Sequence, residues 1–404
     1  MRRRTLTPGE VSGEPSWPST QSAFEGLGLV SLAPAIALYI HFPWCTRKCP
    51  YCDFNSHAVS GEIPETAYIQ QLLLDLDQDL LLLDDTPTVT SIFLGGGTPS
   101  LFQPAAISTL LTGIQQRLKL DPEAEITLEA NPGTTDYAKF SGYVQAGVNR
   151  LSMGVQSFND IQLKALGRIH SAAEASRAFA AARAAGFENI NIDLMHGLPG
   201  QTLSAAMQDL EQGLNLAPEH LSWYQLTIEP NTGFYRYPPT LPDDDALWSI
   251  YSEGLIRLKA RGFERYEISA FAKDARLSAH NLNYWRFGNY LGIGAGAHGK
   301  LSSDGQLLRT TKTRVPADYL KAPNRRNSPI ADASLQLEFL MNSLRLTAGF
   351  DWTTYEENTG LDRAGLNSFV AQGQAKGLLN LTSAGLQPTT RGLQFLNDLL
   401  LMVD

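Results

Sequence analysis

The sequence predicts an α/β fold in which six strand–helix units form a parallel sheet. Six short, β-prone apolar runs alternate with amphipathic helical patterns between residues 37 and 262, and a polar or glycine residue ends nearly every run. Alternating strands and helices build parallel sheets through right-handed crossovers. The carboxyl ends of such strands share one rim, where β/α barrels place their chemistry. Six units therefore predict an incomplete barrel, a partial (β/α)6 fold, with a functional site at that rim.

The predicted elements follow one another in a regular order. β-branched and aromatic residues dominate the strand-like runs, whereas the segments between them place apolar residues three or four positions apart. Several helical segments begin at Pro, Asp, Asn or Ser, which favour helix N-termini. The predicted strands are 37–42, 90–97, 125–132, 150–156, 189–197 and 221–230. The predicted helices are 65–84, 104–118, 135–146, 159–185, 203–216 and 243–261.

The pattern changes beyond residue 262. Residues 266–302 are rich in aromatic residues and glycine and are predicted to close the barrel, so that barrel and closing segment span 35–313. A Pro-, Asn- and Arg-rich stretch, 314–329, is predicted to be a linker. Residues 330–404 show helices, a hairpin and a last helix, a mainly helical, winged-helix-like pattern. Because this stretch is not strongly basic, a packing or docking role is favoured over DNA binding.

Composition narrows the class of protein. The chain has 404 residues, of which 43% are hydrophobic, and 32 basic against 41 acidic residues give a net charge of -9. This balance argues against nonspecific nucleic-acid binding. The most leucine-rich stretch, 72–83, carries three aspartates, so no integral membrane segment is predicted. Residues 1–34 lack the apolar run of a signal peptide and are predicted to be a disordered leader, which indicates a cytoplasmic protein.

All three cysteines of the chain, Cys45, Cys49 and Cys52, lie within eight positions. An odd number of thiols cannot pair completely, and cytoplasmic thiols stay reduced, so a metal site is favoured over disulfides. Two sites are compatible with the spacing. A Cys3His zinc site would take His41 or His57 as its fourth ligand. A four-iron cluster on three cysteines would leave one iron open to a cofactor.

The cysteine motif resembles that of the radical S-adenosylmethionine (SAM) superfamily. The spacing C-x3-C-x2-C, the aromatic Tyr51 before the last cysteine and GGGTP at 95–99 after the next strand carry the resemblance. It implies a [4Fe-4S] cluster on Cys45, Cys49 and Cys52 whose open iron chelates the amino and carboxylate groups of SAM. It also implies an electron donor, since the reduced cluster cleaves SAM to a 5′-deoxyadenosyl radical.

The other rim residues suit that ligand. Glycines let the backbone approach the methionine moiety, a threonine adds a hydroxyl, and carboxylates accept from ammonium or ribose hydroxyls. The resemblance places the SAM contacts on Tyr39, Gly96, Gly97, Thr98, Glu129, Gln156, Arg168 and Asp193.

A narrower resemblance spans residues 37–400. The chain is similar to the oxygen-independent coproporphyrinogen III oxidases and their haem-chaperone relatives. The motifs that carry it are LYIHFPWC, CPYCDFNS, GGGTPS, LEANPG, SMGVQSF, LGRIH, NIDLMHGLPGQT and HNLNYW. The oxidases carry a fourth cysteine where this chain has Phe54, and an ordered N-terminal extension that the leader does not match. These departures favour a haem chaperone that passes haem to an acceptor protein, with the decarboxylating oxidase as the alternative.

The HNLNYW motif, 280–285, is associated with the chaperone branch. Taken alone, His280 would be interpreted as a hydrogen-bonded structural residue and Tyr284 and Trp285 as packing residues. The resemblance instead implies that His280 ligates haem iron, in which case Tyr284 and Trp285 would offer flat apolar faces and Arg286 would pair with a propionate. His298 is a second candidate ligand, for which a loop role is favoured.

Overall fold

Six parallel strands form the centre of the molecule. The structure, a computed structural model, describes residues 35–83, 85–133, 138–303 and 305–403, so the predicted leader lies outside the described residues. Two short strands, β2 (Trp44–Cys45) and β3 (His57–Ala58), pair with each other in a small sheet separate from the central one. The six central strands, neighbours in this order, are β1 (Ala35–Phe42), β4 (Thr88–Gly96), β5 (Lys119–Ala130), β6 (Arg150–Gln156), β7 (Ile190–His196) and β8 (His220–Gln225). The predicted parallel α/β fold is confirmed.

Helices connect successive strands and cover the outside of the sheet. They are α1 (Glu65–Leu80), α2 (Pro104–Gln115), α3 (Phe140–Ala146), α4 (Asp160–Ala165), α5 (Ala172–Ala184), α6 (Leu203–Asn215), α7 (Gly233–Arg236) and α8 (Asp244–Ala260). Their inner faces enclose the main hydrophobic core, in which Leu38, Leu94 and Leu128 are completely buried. Among the described residues, no helix is both long enough and apolar enough to cross a bilayer.

The continuous helix predicted at 159–185 is wrong. The structure ends α4 at Ala165 and begins α5 at Ala172. Gly167 adopts a left-handed conformation with φ of +71°, and Ser171 caps α5 through a capping box with Glu174. The loop between the two helices carries Arg168 to the rim of the barrel.

Additional strands extend the sheet at both edges. Beside β8 lie β10 (Ala270–Ala272) and β9 (Glu264–Arg265), and beside β1 lies β11 (Tyr290–Ile293), parallel to it. The antiparallel strands β12 (His298–Ser303), β13 (Gln306–Lys312) and β14 (Arg325–Pro329) follow β11. The segment predicted to close the barrel therefore contributes strands at both edges, and the described sheet stays open between β9 and β14.

The linker predicted at 314–329 is part of this sheet. Its helical turn α10 (Pro316–Tyr319) buries Tyr319, whose hydroxyl donates to Asp75 at 2.6 Å. Just before it, Lys312 pairs with both Asp75 and Asp79 in the core. Proline and arginine suggested an exposed connection, but both residue types are common on edge strands such as β14.

The C-terminal residues form a second hydrophobic core. The predicted succession of helices and a hairpin is present: α11 (Asp332–Ser343), β15 (Phe350–Asp351), α12 (Trp352–Thr359), α13 (Asn367–Ala375), β16 (Leu379–Leu381), β17 (Gly385–Pro388), α14 (Thr390–Gln394) and α15 (Leu396–Leu400). The three strands pair antiparallel in the order β15-β17-β16. Phe339, Leu340 and Leu366 are fully buried between these elements. Arg345 stacks over the Trp285 ring and attaches this region to the barrel.

Candidate cluster and cofactor site

A cavity of about 400 Å³ opens at the carboxyl ends of the central strands. The cysteine loop after β1 lies on one side, and the ends of the other strands form the rest of the wall. The predicted site residues that line it are Cys45, Cys49, Cys52, Gly96, Gly97, Thr98, Glu129, Gln156, Arg168 and Asp193. The structure thus brings together all the predicted cluster ligands and every predicted SAM residue except Tyr39.

The pairing of β2 with β3 holds the cysteine loop in place. Trp44 and Cys45 align with His57 and Ala58, so the intervening residues must form a compact loop. Within it, the Cys52 amide donates to the Cys49 carbonyl at 3.1 Å. All three thiols are free, and burial raises the pKa of Cys45. Three free thiols on one loop, facing one cavity, match the donor set of a four-iron cluster with an open iron.

The zinc alternative has no fourth ligand at this loop. His41 is bonded through Nδ1 to the Tyr39 hydroxyl at 2.8 Å and through Nε2 to the Asn55 carbonyl at 2.9 Å. The Nε2 atom of His57 lies 3.3 Å from Asn55 Oδ1. Within the described residues, no three His, Cys, Asp or Glu side chains converge on one position suited to a single ion. A cluster needs no such convergence, since each thiolate binds a different iron.

The packing of the protein requires glycine at two positions of GGGTP, independently of any ligand. Gly96 has φ of +110°, and a Cβ there would lie 2.4 Å from the His41 ring. A Cβ on Gly97 would lie 2.4 Å from the Trp44 carbonyl oxygen. From the sequence, these glycines are assigned to the approach of a ligand, and the structure adds a second reason, because packing against β1 and the cysteine loop already demands glycine.

Two half-buried carboxylates face the cavity. Burial, and secondarily the charge of Asp193, raises the pKa of Glu129 to about 7, although Glu129 accepts from the Gly96 amide at 2.9 Å. Burial also raises the pKa of Asp193, which accepts from Asn191 at 2.7 Å. Carboxylates in such surroundings gain from a cationic or donor-rich ligand, and the ammonium and ribose of SAM are of that kind.

Arg168 joins the cavity wall to the cysteine loop. Its Nη2 donates to Asn131 Oδ1 and to the Gly154 carbonyl, both at 2.6 Å, and its Nη1 lies 3.9 Å from Cys49 Sγ. Asn131 in turn donates to Thr98 Oγ1 at 2.9 Å. The buried Nε of Arg168 has no partner among the described residues. The guanidinium is thus fixed beside the thiolates, with one donor still available to a ligand.

Gln156 ends β6 in a strained conformation. Its φ is +71°, which is uncommon for a residue with a side chain, and its Oε1 accepts from the Tyr224 hydroxyl at 2.8 Å. Strain of this kind is concentrated at functional sites.

Neither Asn131 nor Tyr224 is among the predicted SAM contacts. Asn131 lies two positions after Glu129, and Tyr224 two positions after Ser222 on β8; all four line the cavity. Side chains two apart share one face of a strand, and that period is the signal that identifies both residues.

Tyr39 is the predicted SAM residue that does not line the cavity. Its hydroxyl bonds to His41, and its ring lies 6.4 Å from that of Phe93. Its contact with SAM stays a prediction; in this structure Tyr39 supports His41 and, through it, Gly96.

The HNLNYW motif lies at the opposite end of the barrel. It forms the short helix α9 (Ala279–Trp285), which packs across the base of β1 and β4. His280 is only 1% exposed, with Nδ1 3.0 Å from the Ser91 hydroxyl and Nε2 3.2 Å from the Tyr284 hydroxyl. The haem role of His280 stays a prediction, and this geometry favours a structural role.

Glu125 on β5 holds α9 in the base. Its carboxylate accepts from the Ala279 amide at 3.0 Å and the His280 amide at 3.1 Å. The same carboxylate lies 3.8 Å from the guanidinium of Arg150, which is 2% exposed. The base of the barrel is therefore closed by a buried polar network, in which Arg150 Nε and Trp285 Nε1 have no hydrogen-bond partner among the described residues.

The fold, the three-cysteine loop and the glycine rim define a radical SAM protein. Residues 39–212 match the radical SAM superfamily, and residues 335–395 match the HemN C-terminal domain. The chain is 50% identical over 369 residues to "Heme chaperone HemW" of Escherichia coli (strain K12), covering 91% of this chain and 97% of that protein. It is 48% identical over 374 residues to "Heme chaperone HemW" of Haemophilus influenzae, with coverage of 91% and 97%. The chain belongs to the HemW family.

A solved structure shares the whole fold. Coproporphyrinogen III oxidase (HemN) from Escherichia coli superposes with a TM-score of 0.76 at 22% identity, over 92% of this chain and 90% of that one. This similarity confirms the predicted fold, including the C-terminal region, and concerns the fold alone.

Proposed function

We propose that this protein is a haem chaperone that binds a [4Fe-4S] cluster, SAM and haem, and delivers haem to an acceptor protein. The observation that carries the proposal is full-length similarity, at 50% identity, to a relative named as a heme chaperone. The cavity supports it, because the residues expected around the cluster and SAM converge there.

In this proposal Cys45, Cys49 and Cys52 would hold the cluster as thiolates. A reduced cluster held there would supply the electron for reductive cleavage of SAM bound in the same cavity. The protein contributes orientation and charge. Glu129 and Asp193 accept hydrogen bonds from the ligand's ammonium and hydroxyl groups, and Arg168 offers its free donor to the carboxylate.

We place the protein in the cytoplasm, with an electron donor for the cluster and a haem acceptor as its partners. Free thiols support a reducing compartment, and the acidic composition disfavours nucleic acid as a partner.

The competing function is coproporphyrinogen decarboxylation, which the fold shared with the oxidase keeps open. Phe54 argues against it. This residue occupies the position of the oxidases' fourth cysteine, lines the cavity and is 60% exposed. An exposed aromatic ring at a cavity mouth suits contact with a flat apolar ligand better than redox or proton chemistry.

The test uses protein purified and reconstituted without oxygen. We expect about one haem per chain, retained through a desalting column, and no conversion of coproporphyrinogen III when reductant and SAM are supplied. Conversion at a catalytic rate with no haem retained would reject the chaperone in favour of the oxidase.

A further inference from the structure

The chain contains seven histidines, all of them described, and they differ sharply in accessibility. Five are enclosed and expose at most 6% of their surface: His41, His170, His196, His220 and His280. His57 is half-buried and His298 is exposed. A bulky ligand arriving from solvent can therefore reach a histidine at two positions, and no hydrogen bond within the described part of the chain engages the His298 ring.

Asn55 brings these two positions together. Its Nδ2 donates to the Ala295 carbonyl at 2.8 Å and to the Arg314 carbonyl at 2.9 Å, while its Oδ1 lies 3.3 Å from His57 Nε2. His298 begins β12, three residues after Ala295. Three segments therefore meet at one joint around Asn55. They are the end of the cysteine loop, the turn before β12 and the chain just after β13.

The charges around both rings are positive. Burial and then the charges of Lys48 and Arg314 lower the pKa of His57, while burial followed by Arg309 and Arg314 lowers that of His298. Arg314 is exposed, so its guanidinium is available to a carboxylate.

Apolar side chains complete the surface. Phe54 is 60% exposed and Val315 is 49% exposed, and each adjoins a residue of the Asn55–Arg314 hydrogen bond. We call the six residues around this joint the His298 patch: Lys48, Phe54, His57, His298, Arg314 and Val315. The accessible His298 imidazole, exposed apolar groups and cations together match a planar macrocycle with a central iron and two carboxylates.

We propose that haem binds at the His298 patch, with His298 as the iron ligand, His57 beside the macrocycle and Arg314 beside a propionate. This inference rests on the proposed function, since it assumes that the protein binds haem, and it names where. The site adjoins the cluster loop directly, because Cys52 and His57 lie five positions apart on the same loop. His280, behind the base of the barrel, takes no part.

The test is a ferric haem titration of the reconstituted full-length protein, followed in the Soret band. We expect His298→Ala to weaken haem binding at least tenfold and to shift the Soret maximum, with a larger loss in the His57→Ala/His298→Ala double variant. His280→Ala should bind haem like the unaltered protein wherever it remains folded by circular dichroism. Metal-free protoporphyrin IX isolates the contribution of iron, and its binding should be little changed by His298→Ala.

Matched arginines test the propionate contact. Arg314→Gln should weaken both haem and metal-free protoporphyrin, whereas Arg276→Gln, at an exposed position near α9, should weaken neither. Haem binding that survives the double histidine variant, or that is lost in folded His280→Ala alone, would overturn the patch while leaving the chaperone function standing. Absence of haem binding by the unaltered protein would overturn both.

Discussion

The two ends of the barrel use similar residues for opposite purposes. At the mouth, Glu129, Asp193 and Arg168 line an open cavity. At the base, Glu125 accepts from two backbone amides of α9 and pairs with Arg150, and both ring nitrogens of His280 are bonded. Residue type alone does not separate a binding site from a structural network.

The separating feature is access to the cavity. The side chains of Arg150 and Glu125 are only 2% and 10% exposed. The mouth instead combines side chains that line an open cavity with the strained backbone of Gln156, and strain of this kind is typical of functional sites. Substitutions at the mouth should therefore affect ligands, and substitutions at the base should affect stability.

The largest effect is expected from the cysteines. Cys45→Ala, Cys49→Ala or Cys52→Ala should each abolish the cluster, because the chain has no other thiol. Iron, acid-labile sulfide and visible absorbance measure the loss. Ser56→Ala is the control, since Ser56 Oγ lies 3.6 Å from Cys52 Sγ but holds no iron in this account. Stoichiometric zinc without sulfide in the unaltered protein would contradict the prediction.

At the base, Glu125→Ala should lower the free energy of unfolding by about 3–5 kcal/mol, because it removes the carboxylate that pairs with the buried charge of Arg150. Urea denaturation measures the change. Glu188→Ala, at an exposed position, should stay within about 0.5 kcal/mol of the unaltered protein. Equal losses in the two variants would show that the base network is not a stabilising structure.

Substituting two glycines in turn distinguishes the cost of steric clash from the cost of backbone strain. Gly96 and Gly147 have φ of +110° and +104°, but a Cβ on Gly147 would meet nothing within 4 Å. Gly147→Ala should cost about 1 kcal/mol of strain. Gly96→Ala should cost about 1–3 kcal/mol more, because its Cβ overlaps the His41 ring. If the two variants have the same thermal midpoint, the packing explanation of the glycine rim fails.

The smallest effect concerns pH. Because Glu129 has a pKa of about 7 in the folded protein against an ordinary value of 4.5, the folded state binds more protons than the unfolded state between these values. Its contribution to stability is therefore present below pH 4.5 and is lost as the pH rises towards 7. Glu129→Gln should flatten this part of the profile of urea midpoints against pH. An unchanged profile would show that Glu129 does not titrate between pH 4.5 and 7 in the folded protein.

The sequence predicted the mouth better than the base. Strand ends in a parallel sheet converge by topology, so the positions of Glu129, Gln156 and Asp193 followed from the order of the strands. The cluster loop was equally local, because its cysteines lie within eight positions.

The remaining features depend on contacts between distant parts of the chain. His280 looks like an accessible ligand until Glu125, 155 positions earlier, draws its helix into the base. Residues 314–329 look like a linker until β14 pairs with β13. Periodicity within a segment carries no information on such contacts. Arg168 was therefore predicted to lie within one continuous helix, although it lies in the loop between α4 and α5.

The most direct test of the contrast between the ends is the EPR spectrum of the reduced cluster, recorded with and without SAM. We expect SAM to change the spectrum of the unaltered protein and of folded His280→Ala alike. Asp193→Asn, at the mouth, should weaken this spectral change while the cluster is retained. A cluster whose spectrum ignores SAM, or a spectral change lost in His280→Ala but intact in Asp193→Asn, would contradict this expectation.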